Sequence, residues 1–199
     1  MEAERSDAPG GKSARTRESI VVALFELVKE GNLHPRGEEI AAKADVSVRT
    51  LFRHFDDMES LFAVAQAIMA ERMDSNLVLP TVSGPFVERC HAYAVAQGTL
   101  YDDSRNYLLF YASRAKTVDD VNKIEKMASQ KLRLRLWSAL PECAAVQRPI
   151  REAIEQLFSF HAWQQLRYEQ DLSKEEAVNA ICKCAQALLK DAMIKIDIS

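Results

Sequence analysis

Four side chains that can donate hydrogen bonds fall close together in the sequence: Arg49, Thr50, Arg53 and His54. If this stretch is helical, their spacing places them on one face. A guanidinium such as that of Arg49 can donate to O6 and N7 of guanine together, and Thr50 can touch a base edge or a thymine methyl. Arg53 and His54, one turn further on, are better placed for phosphates. An arginine pair on a helix is usually only a solvated face, so the neighbouring elements must support this interpretation.

Those neighbouring elements predict a helix-turn-helix. A first helix is expected from about Ser13 to Glu30, where apolar residues recur at helical spacing and Gly31 then ends the pattern. A short second helix is expected from about Gly37 to Ala44, with the small buried side Ile40, Ala41 and Ala44. After a turn at Asp45, Ser47 is the expected N-cap of a third helix. A second helix of this kind can enter the major groove of DNA.

The third helix carries the apolar stripe Val48, Leu51, Phe52 and Phe55. Val48 fits a core position and a groove contact equally well, and Phe52 is expected to pack at the edge of the domain. A fourth helix should begin at Asp56, where Glu59 completes a capping-box-like pattern. It is expected to end near Leu77.

Further helices are predicted over the remaining sequence, which makes the chain all-α, with about nine helices. The expected fold class is a three-helix DNA-binding domain followed by a larger helical bundle, expected to serve ligand binding and dimerisation. The expected domains are a disordered leader at 1–12, the helix-turn-helix at 13–57 and the bundle at 58–199. The later helices are expected at Phe86 to Leu100, Ser104 to Lys116, Val118 to Leu140, Pro149 to Gln170 and Ser173 to Ile196.

Charge permits nucleic-acid binding but supports it only weakly. The 199 residues carry a net charge of −3, whereas the stretch from Lys12 to Arg53 has eight Lys or Arg against six Asp or Glu, a local +2. A DNA-binding surface needs its cations on one face, but the protein as a whole need not be basic. There is no apolar run long enough to span a membrane and no apolar secretory signal, so the expected location is the cytoplasm.

No arrangement of reactive side chains predicts an enzyme, a metal site or a cofactor. Cys90, His91 and His161 are isolated in the sequence, and no Gly-rich phosphate loop occurs. Cys182 and Cys184 are two residues apart, so on a helix they point in nearly opposite directions and cannot share one ion. The cysteines are interpreted as small buried or boundary thiols.

The segment from Thr16 to Phe62 resembles the DNA-binding domain of the TetR family of bacterial repressors. The rest of the chain matches that family only in the number and length of its helices. The resemblance is carried by Ala23, Phe25, Gly31, Ile40, Ala41, Val46, Ser47, Thr50, Leu51, His54, Phe55 and Leu61.

Several positions depart from the family pattern. Asp45 stands at a turn position usually held by Gly, which is tolerable because Asp accepts left-handed backbone geometry better than most residues. Phe52 replaces the usual Tyr and Met58 the usual Lys, so two phosphate contacts are missing. Glu38 and Glu39 add negative charge near the DNA side of the second helix. These changes are expected to affect affinity more than fold.

The resemblance implies a homodimer that contacts double-stranded operator DNA. Cations ahead of the first helix would follow the DNA backbone. The predicted DNA-binding residues are Lys12, Arg15, Arg17, Arg36, Gly37, Val48, Arg49, Thr50, Arg53 and His54. The last two helices carry more apolar perimeter than one core needs, and the family implies a four-helix interface there. The predicted dimer interface is Ile154, Phe158, Ala177, Ala180, Ile181, Cys184, Ala185 and Leu188.

A small-molecule effector is also expected, because aromatic residues with polar tips recur between the two predicted ends of the protein. Any one of them is more often a core residue. The predicted ligand-binding residues are Tyr93, Tyr107, Phe110, Tyr111, Trp137, Phe158 and His161. The function expected is a sequence-specific repressor that an apolar ligand releases from DNA. The alternative is a helical regulator or adaptor with weakened DNA binding.

Overall fold

All regular elements in the described part of the chain are helical, as the sequence predicts. The computed structural model describes residues 9–76, 83–114 and 133–196, with the single positions 119, 126 and 130. The helices are α1 (Pro9–Lys29), α2 (Gly37–Lys43), α3 (Val48–His54), α4 (Met58–Asn76), α5 (Phe86–Ala112), α6 (133–139), α7 (Pro141–Ala145), α8 (Arg148–Leu157), α9 (Phe160–Gln164) and α10 (Lys174–Ile196). None of them is long and apolar enough to cross a membrane.

Two of the predicted elements fall largely outside the described residues. Positions 1–8 of the expected disordered leader are not described, and positions 9–12 belong to α1. Of the expected helix Val118 to Leu140, the structure describes a helical stretch at 133–139 and three isolated helical positions.

Two later predictions of helix boundaries are wrong. The helices expected at Phe86–Leu100 and Ser104–Lys116 form one helix, α5, which continues without a break from Phe86 to Ala112. The polar residues between them do not interrupt it: Asp102 accepts a hydrogen bond from Trp163, and Ser104 is buried. The single helix expected at Pro149–Gln170 is divided into α8 and α9. The break occurs at Ser159, whose hydroxyl oxygen accepts a hydrogen bond from the Ala162 amide at 3.2 Å. This side chain satisfies an amide at the start of α9.

The turns of the first half follow the predicted chemistry. Gly31 has a φ of 97° after the end of α1, and Asp45 a φ of 54° between α2 and α3. Ser47 caps α3, its hydroxyl oxygen accepting from the Thr50 amide at 3.0 Å. The cap of α4 is not Asp56 but Asp57, whose carboxylate accepts from the Ser60 amide at 2.7 Å.

As far as the chain is described, it divides into two compact units. The first unit contains Met1–Glu71 and Asn106–Ile124, and the second Arg72–Arg105 and Glu125–Ser199. The first unit thus extends beyond the predicted helix-turn-helix domain at 13–57, because α4 and the end of α5 complete its core. Its buried residues include Ile20, Leu24, Val28, Ile40, Leu51, Phe55, Leu61, Phe62 and Phe110.

The second unit has its own core, in which Trp163 is 2% exposed. The indole Nε1 donates a hydrogen bond of 2.8 Å to the Asp102 carboxylate. Its ring lies directly against Gly98, where an added Cβ would approach the indole Cζ2 to 2.6 Å. In the same unit the Tyr101 hydroxyl donates to the Phe158 carbonyl at 2.9 Å. A glycine inside α5 therefore makes the space that the largest core side chain occupies.

Candidate nucleic-acid interface

Helix α3 is a seven-residue helix held to the core by two side chains. Leu51 is 0% and Phe55 2% exposed, and both pack among residues of α1, α2 and α4. Because these two positions are four residues apart, they fix one side of the helix against the core. The opposite side is therefore presented to the exterior of the first unit.

The exposed side chains of α3 are two arginines and two apolar residues. Arg49 and Arg53 are exposed, as expected, and neither guanidinium pairs with a carboxylate in the described chain. Val48 and Phe52 complete the apolar stripe in the sequence and are 38% and 44% exposed, as a groove contact for Val48 and a domain-edge position for Phe52 would require. A helix of two turns has room for only two core contacts, so its other apolar side chains stay outside. The outer surface of α3 is consequently half cationic and half apolar.

Thr50 and His54 are half-buried and point less freely outward than expected. The Thr50 hydroxyl lies 2.9 Å from that of Ser47, so it takes part in the N-cap of α3. The His54 carbonyl accepts a hydrogen bond from Arg17. Both residues lie at the predicted site, but each also has a structural role in the helix.

Arg17 lies within α1 and anchors α3. Its Nη1 donates to the His54 carbonyl at 2.6 Å, and its guanidinium carbon lies 4.2 Å from the centre of the Phe55 ring. The carbonyls at the end of a helix lack partners within the helix, and a cation there is favourable. Arg17 was predicted as a phosphate contact ahead of the first helix, and its observed contacts make it a positioning residue.

The other predicted cations lie at the surface. Lys12 and Arg15 are exposed within α1, not ahead of it, and the Arg15 Nε donates to the Gly11 carbonyl at 3.2 Å. Arg36 precedes α2, and its amide donates to the Glu39 carboxylate at 2.7 Å. Glu39 therefore caps its own helix, while Glu38 is exposed.

Gly37 lies at the start of α2, close to two residues that depart from the family pattern, Phe52 and Met58. A Cβ at this glycine would lie 3.4 Å from the Met58 Sδ and 3.5 Å from the Phe52 ring. Phe52 and Met58 therefore both approach the same end of α2. The family pattern has a hydroxyl and an ammonium at these two positions, whereas this chain has the apolar side chains of Phe52 and Met58, here called the apolar cover. Both residues are far from Gly37 in the sequence, so no local pattern predicts that they lie beside it.

The predicted ligand-binding residues do not come together in one unit. Tyr107, Phe110 and Tyr111 belong to the first unit, where Tyr107 donates to the Phe25 carbonyl at 3.0 Å. The Phe110 ring packs edge-on against Phe62, with centroids 5.2 Å apart. Through these contacts the three residues pack the end of α5 against the core of the first unit.

The remaining predicted ligand residues are in the second unit. The Tyr93 and Phe158 rings are buried and pack edge-on with centroids 5.4 Å apart. Trp137 lies beside two cations, with the guanidinium of Arg151 5.3 Å from its ring centre. His161 is exposed. Of these residues, Tyr93 and Phe158 contact each other in the core of the unit.

Most of the predicted dimer residues are buried within the single chain. Ala180 and Leu188 are half-buried and Cys184 is exposed. The other five form the core side of α8 and α10, because those two helices pack on each other. These five are Ile154, Phe158, Ala177, Ile181 and Ala185.

Sequence reasoning missed a group of side chains that join the end of α5 to the end of α1. Asn106 donates to the Lys29 carbonyl at 3.1 Å, and Arg114 to the Leu33 carbonyl at 3.2 Å. The Arg114 guanidinium also lies over the Phe62 ring. The donors and acceptors are far apart in sequence, so no local pattern signals these bonds.

Comparison with known proteins agrees with the resemblance seen in the sequence. Residues 22–65 match the family described as bacterial regulatory proteins, tetR family. No match was found among curated proteins. A transcriptional regulator from Rhodococcus sp. Rha1 has a similar structure at 19% identity and a TM-score of 0.68, covering 88% of this chain and 97% of that one.

Two further solved structures show the same fold. A tetR-family transcriptional regulator from Streptomyces coelicolor has 13% identity and a TM-score of 0.72, covering 92% of this chain and 83% of its own. The multidrug binding protein EbrR complexed with imidazole has 17% identity and a TM-score of 0.65, covering 92% and 96%. The chain therefore has the fold of the TetR-family transcriptional regulators and carries the sequence pattern of that family at residues 22–65.

Proposed function

We propose that the protein is a transcription regulator that binds double-stranded DNA through α3. The observation that carries the proposal is the exposed pair Arg49 and Arg53 on a helix that Leu51 and Phe55 fix to the core. A fixed helix with cations on its outer side has the geometry to enter a major groove. Arg49 reads a guanine, and Arg53 contacts the phosphate backbone.

The experiment is a mobility-shift titration of the purified full chain with DNA from upstream of its own coding sequence. A retarded complex that resists an excess of unrelated DNA supports sequence-specific binding. If own-upstream and unrelated DNA compete equally at every salt concentration, the proposal of a specific regulator fails.

We extend the proposal to a homodimer, with a revised surface. On α8, Ile150, Ala153 and Leu157 recur at helical spacing and are half-buried or exposed. On α10, which packs against α8, Ala180, Cys184 and Ala187 recur at helical spacing and are half-buried or exposed, so two adjacent helices offer small and apolar residues. In a homodimer of this kind, we expect the two copies of α3 to contact successive major grooves, roughly 34–36 Å apart.

We also propose that a small-molecule effector binds the second unit and thereby releases the protein from DNA. In the second unit, the buried Gln97 has a side-chain oxygen with no hydrogen-bond partner among the described residues. A buried acceptor of this kind calls for a donor from a ligand or a water. The similar fold of EbrR, whose structure was solved with imidazole, also supports a ligand role. The effector would be largely apolar, with a polar group that hydrogen-bonds to the side-chain amide of Gln97.

The ligand proposal is tested by a thermal-shift screen of hydrophobic compounds with the wild type and Gln97→Leu. A compound that stabilises the wild type, stabilises the variant less and weakens the DNA complex supports it. Compounds that stabilise the protein without changing DNA affinity contradict release by a ligand.

A second candidate function is a helical adaptor with weakened DNA binding. The apolar cover of Phe52 and Met58 at Gly37, with Glu38 exposed nearby, is the observation that favours it. In the same mobility-shift titration, an adaptor would bind neither upstream nor unrelated DNA at low salt, where cation–phosphate attraction is strongest.

A further inference from the structure

Two cysteines from distant parts of the chain meet inside the second unit. The Sγ atoms of Cys90 on α5 and Cys182 on α10 are 3.0 Å apart, closer than the van der Waals contact of two sulfurs. The residues are 92 positions apart in sequence, so the fold alone creates the pair. A disulfide has an S–S bond of about 2.05 Å, so a movement of about 1 Å would join them.

The two thiols differ in exposure and in acidity. Cys90 is 0% exposed and Cys182 is 9% exposed. Cys90 donates its thiol proton to the Cys182 sulfur, and this hydrogen bond lowers the pKa of Cys182 while it raises that of Cys90. Because the thiolate is the nucleophile, Cys182 is the sulfur better prepared to react first.

The other cysteines differ from this pair. Cys143 on α7 is buried, and burial raises the pKa of its thiol to about 12. Cys184 is exposed on α10. As the sequence indicates, Cys182 and Cys184 point in different directions from the same helix. Because Cys184 belongs to the proposed dimer surface, free N-acetylcysteine in the same solution serves as the reference for the reactivity of an ordinary exposed thiol.

We propose that Cys90 and Cys182 form a redox site that hydroperoxides oxidise to an intramolecular disulfide. In the first step the Cys182 thiolate attacks one peroxide oxygen, the O–O bond breaks, and the other oxygen leaves as an alcohol or water. In the second step the Cys90 sulfur attacks the resulting sulfenic acid and displaces water. Overall, two thiols react with one hydroperoxide to give one disulfide, one alcohol (water in the case of hydrogen peroxide) and one further water.

The disulfide would tie α5 covalently to α10. A cross-link across so long a stretch of chain restricts the unfolded state strongly, so the oxidised protein should unfold at a temperature several degrees higher. α10 also carries the outer side chains of the proposed dimer surface, so oxidation would stiffen the helix that supports that surface. A thiol reductant would reverse the reaction.

The test uses the purified full chain, fully reduced and then exposed to increasing hydrogen peroxide. Remaining thiols are blocked with N-ethylmaleimide under denaturing conditions, and the peptides are mapped by mass spectrometry without reduction. The expected result is a peptide linking Cys90 to Cys182, loss of two blocked thiols per chain, and recovery of all of them after dithiothreitol. Thermal unfolding of the same samples should show the upward shift.

Variants separate the pair from the other thiols. Cys184→Ser should still give the peptide that links Cys90 to Cys182, and its oxidised form should unfold at a higher temperature than its own reduced form. Cys182→Ser and Cys90→Ser should each abolish both, with helical circular dichroism confirming that the variants fold. The proposal is overturned if Cys90 and Cys182 remain fully blockable with N-ethylmaleimide at peroxide doses that already oxidise the free N-acetylcysteine. It is also overturned if the cross-link found joins Cys143 or two copies of the chain instead.

Discussion

The Arg17 guanidinium on α1 donates a hydrogen bond of 2.6 Å to the His54 carbonyl at the last residue of α3. This bond ties the end of the proposed recognition helix to the first helix. Arg17→Ala should therefore weaken binding to all DNA sequences alike and lower the free energy of unfolding by about 1 kcal/mol. Urea unfolding and DNA titration measure the two effects. Lys12→Ala, a change at an exposed cation of the same helix, should leave the unfolding free energy unchanged.

The two exposed arginines of α3 should have separable roles. Arg49→Ala should cost about 1–3 kcal/mol on the preferred site and relax the preference at one base position. Arg53→Ala should weaken every sequence to the same extent and reduce the salt dependence. Titrations over a set of single-base variants of the site measure both. An unchanged base preference in Arg49→Ala would show that another residue reads the base.

Introducing polar groups at Phe52 and Met58 should strengthen DNA binding. Phe52→Tyr adds a hydroxyl and Met58→Lys adds an ammonium where both side chains approach Gly37. One additional phosphate contact by a cation should make the slope of log affinity against log salt steeper by about 0.9. Met58→Gln, which is polar but uncharged, is the control and should leave the slope as it is. A slope in Met58→Lys equal to that of wild type would place Met58 away from the DNA.

The proposed dimer surface uses the exposed side of α10 and not the side that is buried in the single chain. Ala187 is exposed, so Ala187→Glu should produce folded monomers, whereas Ala185→Glu should unfold the chain because Ala185 is 0% exposed. Sedimentation at micromolar concentration gives the mass and circular dichroism the helix content. A folded dimer of unchanged stability in Ala187→Glu would exclude this surface.

The ion pair of Arg89 and Glu142 should make stability depend on pH. Arg89 also donates to the Gly84 carbonyl at 3.0 Å and to the Ala139 carbonyl at 2.9 Å, so Arg89→Met should cost about 1–3 kcal/mol. Hydrogen bonds from Arg89 hold the pKa of Glu142 below its ordinary value of 4.5. The stabilisation by the carboxylate is therefore complete above that value and is lost as the pH falls through the lowered pKa.

Glu142→Gln isolates the charge of this pair. Because Glu142 is 36% exposed, water screens the pair, and the variant should cost about 1 kcal/mol or less at neutral pH. Its difference from wild type should shrink when urea unfolding is measured at progressively lower pH in the acid range. A difference that grows toward acid pH would mean that the carboxyl is not stabilised in its ionised form.

The helix-turn-helix was predictable because its signals are local. The backbone at Gly31 and Asp45 and the cap at Ser47 depend on residues a few positions away, and the structure confirms all three. Contacts between separate helices depend on distant residues, so the approach of Phe52 and Met58 to Gly37 could not be predicted from the sequence. The Cys90–Cys182 pair likewise joins two helices with no local pattern in common.

The closeness of Gly98 and Trp163 limits how this sequence can change over evolutionary time. Ala at position 98 would favour the helix by about 1 kcal/mol in isolation, yet its Cβ would overlap the indole. The two positions should therefore vary together among descendants of this chain. A side chain larger than hydrogen at 98 should be found with a ring smaller than indole at 163, and then the partner of the Asp102 carboxylate must change as well.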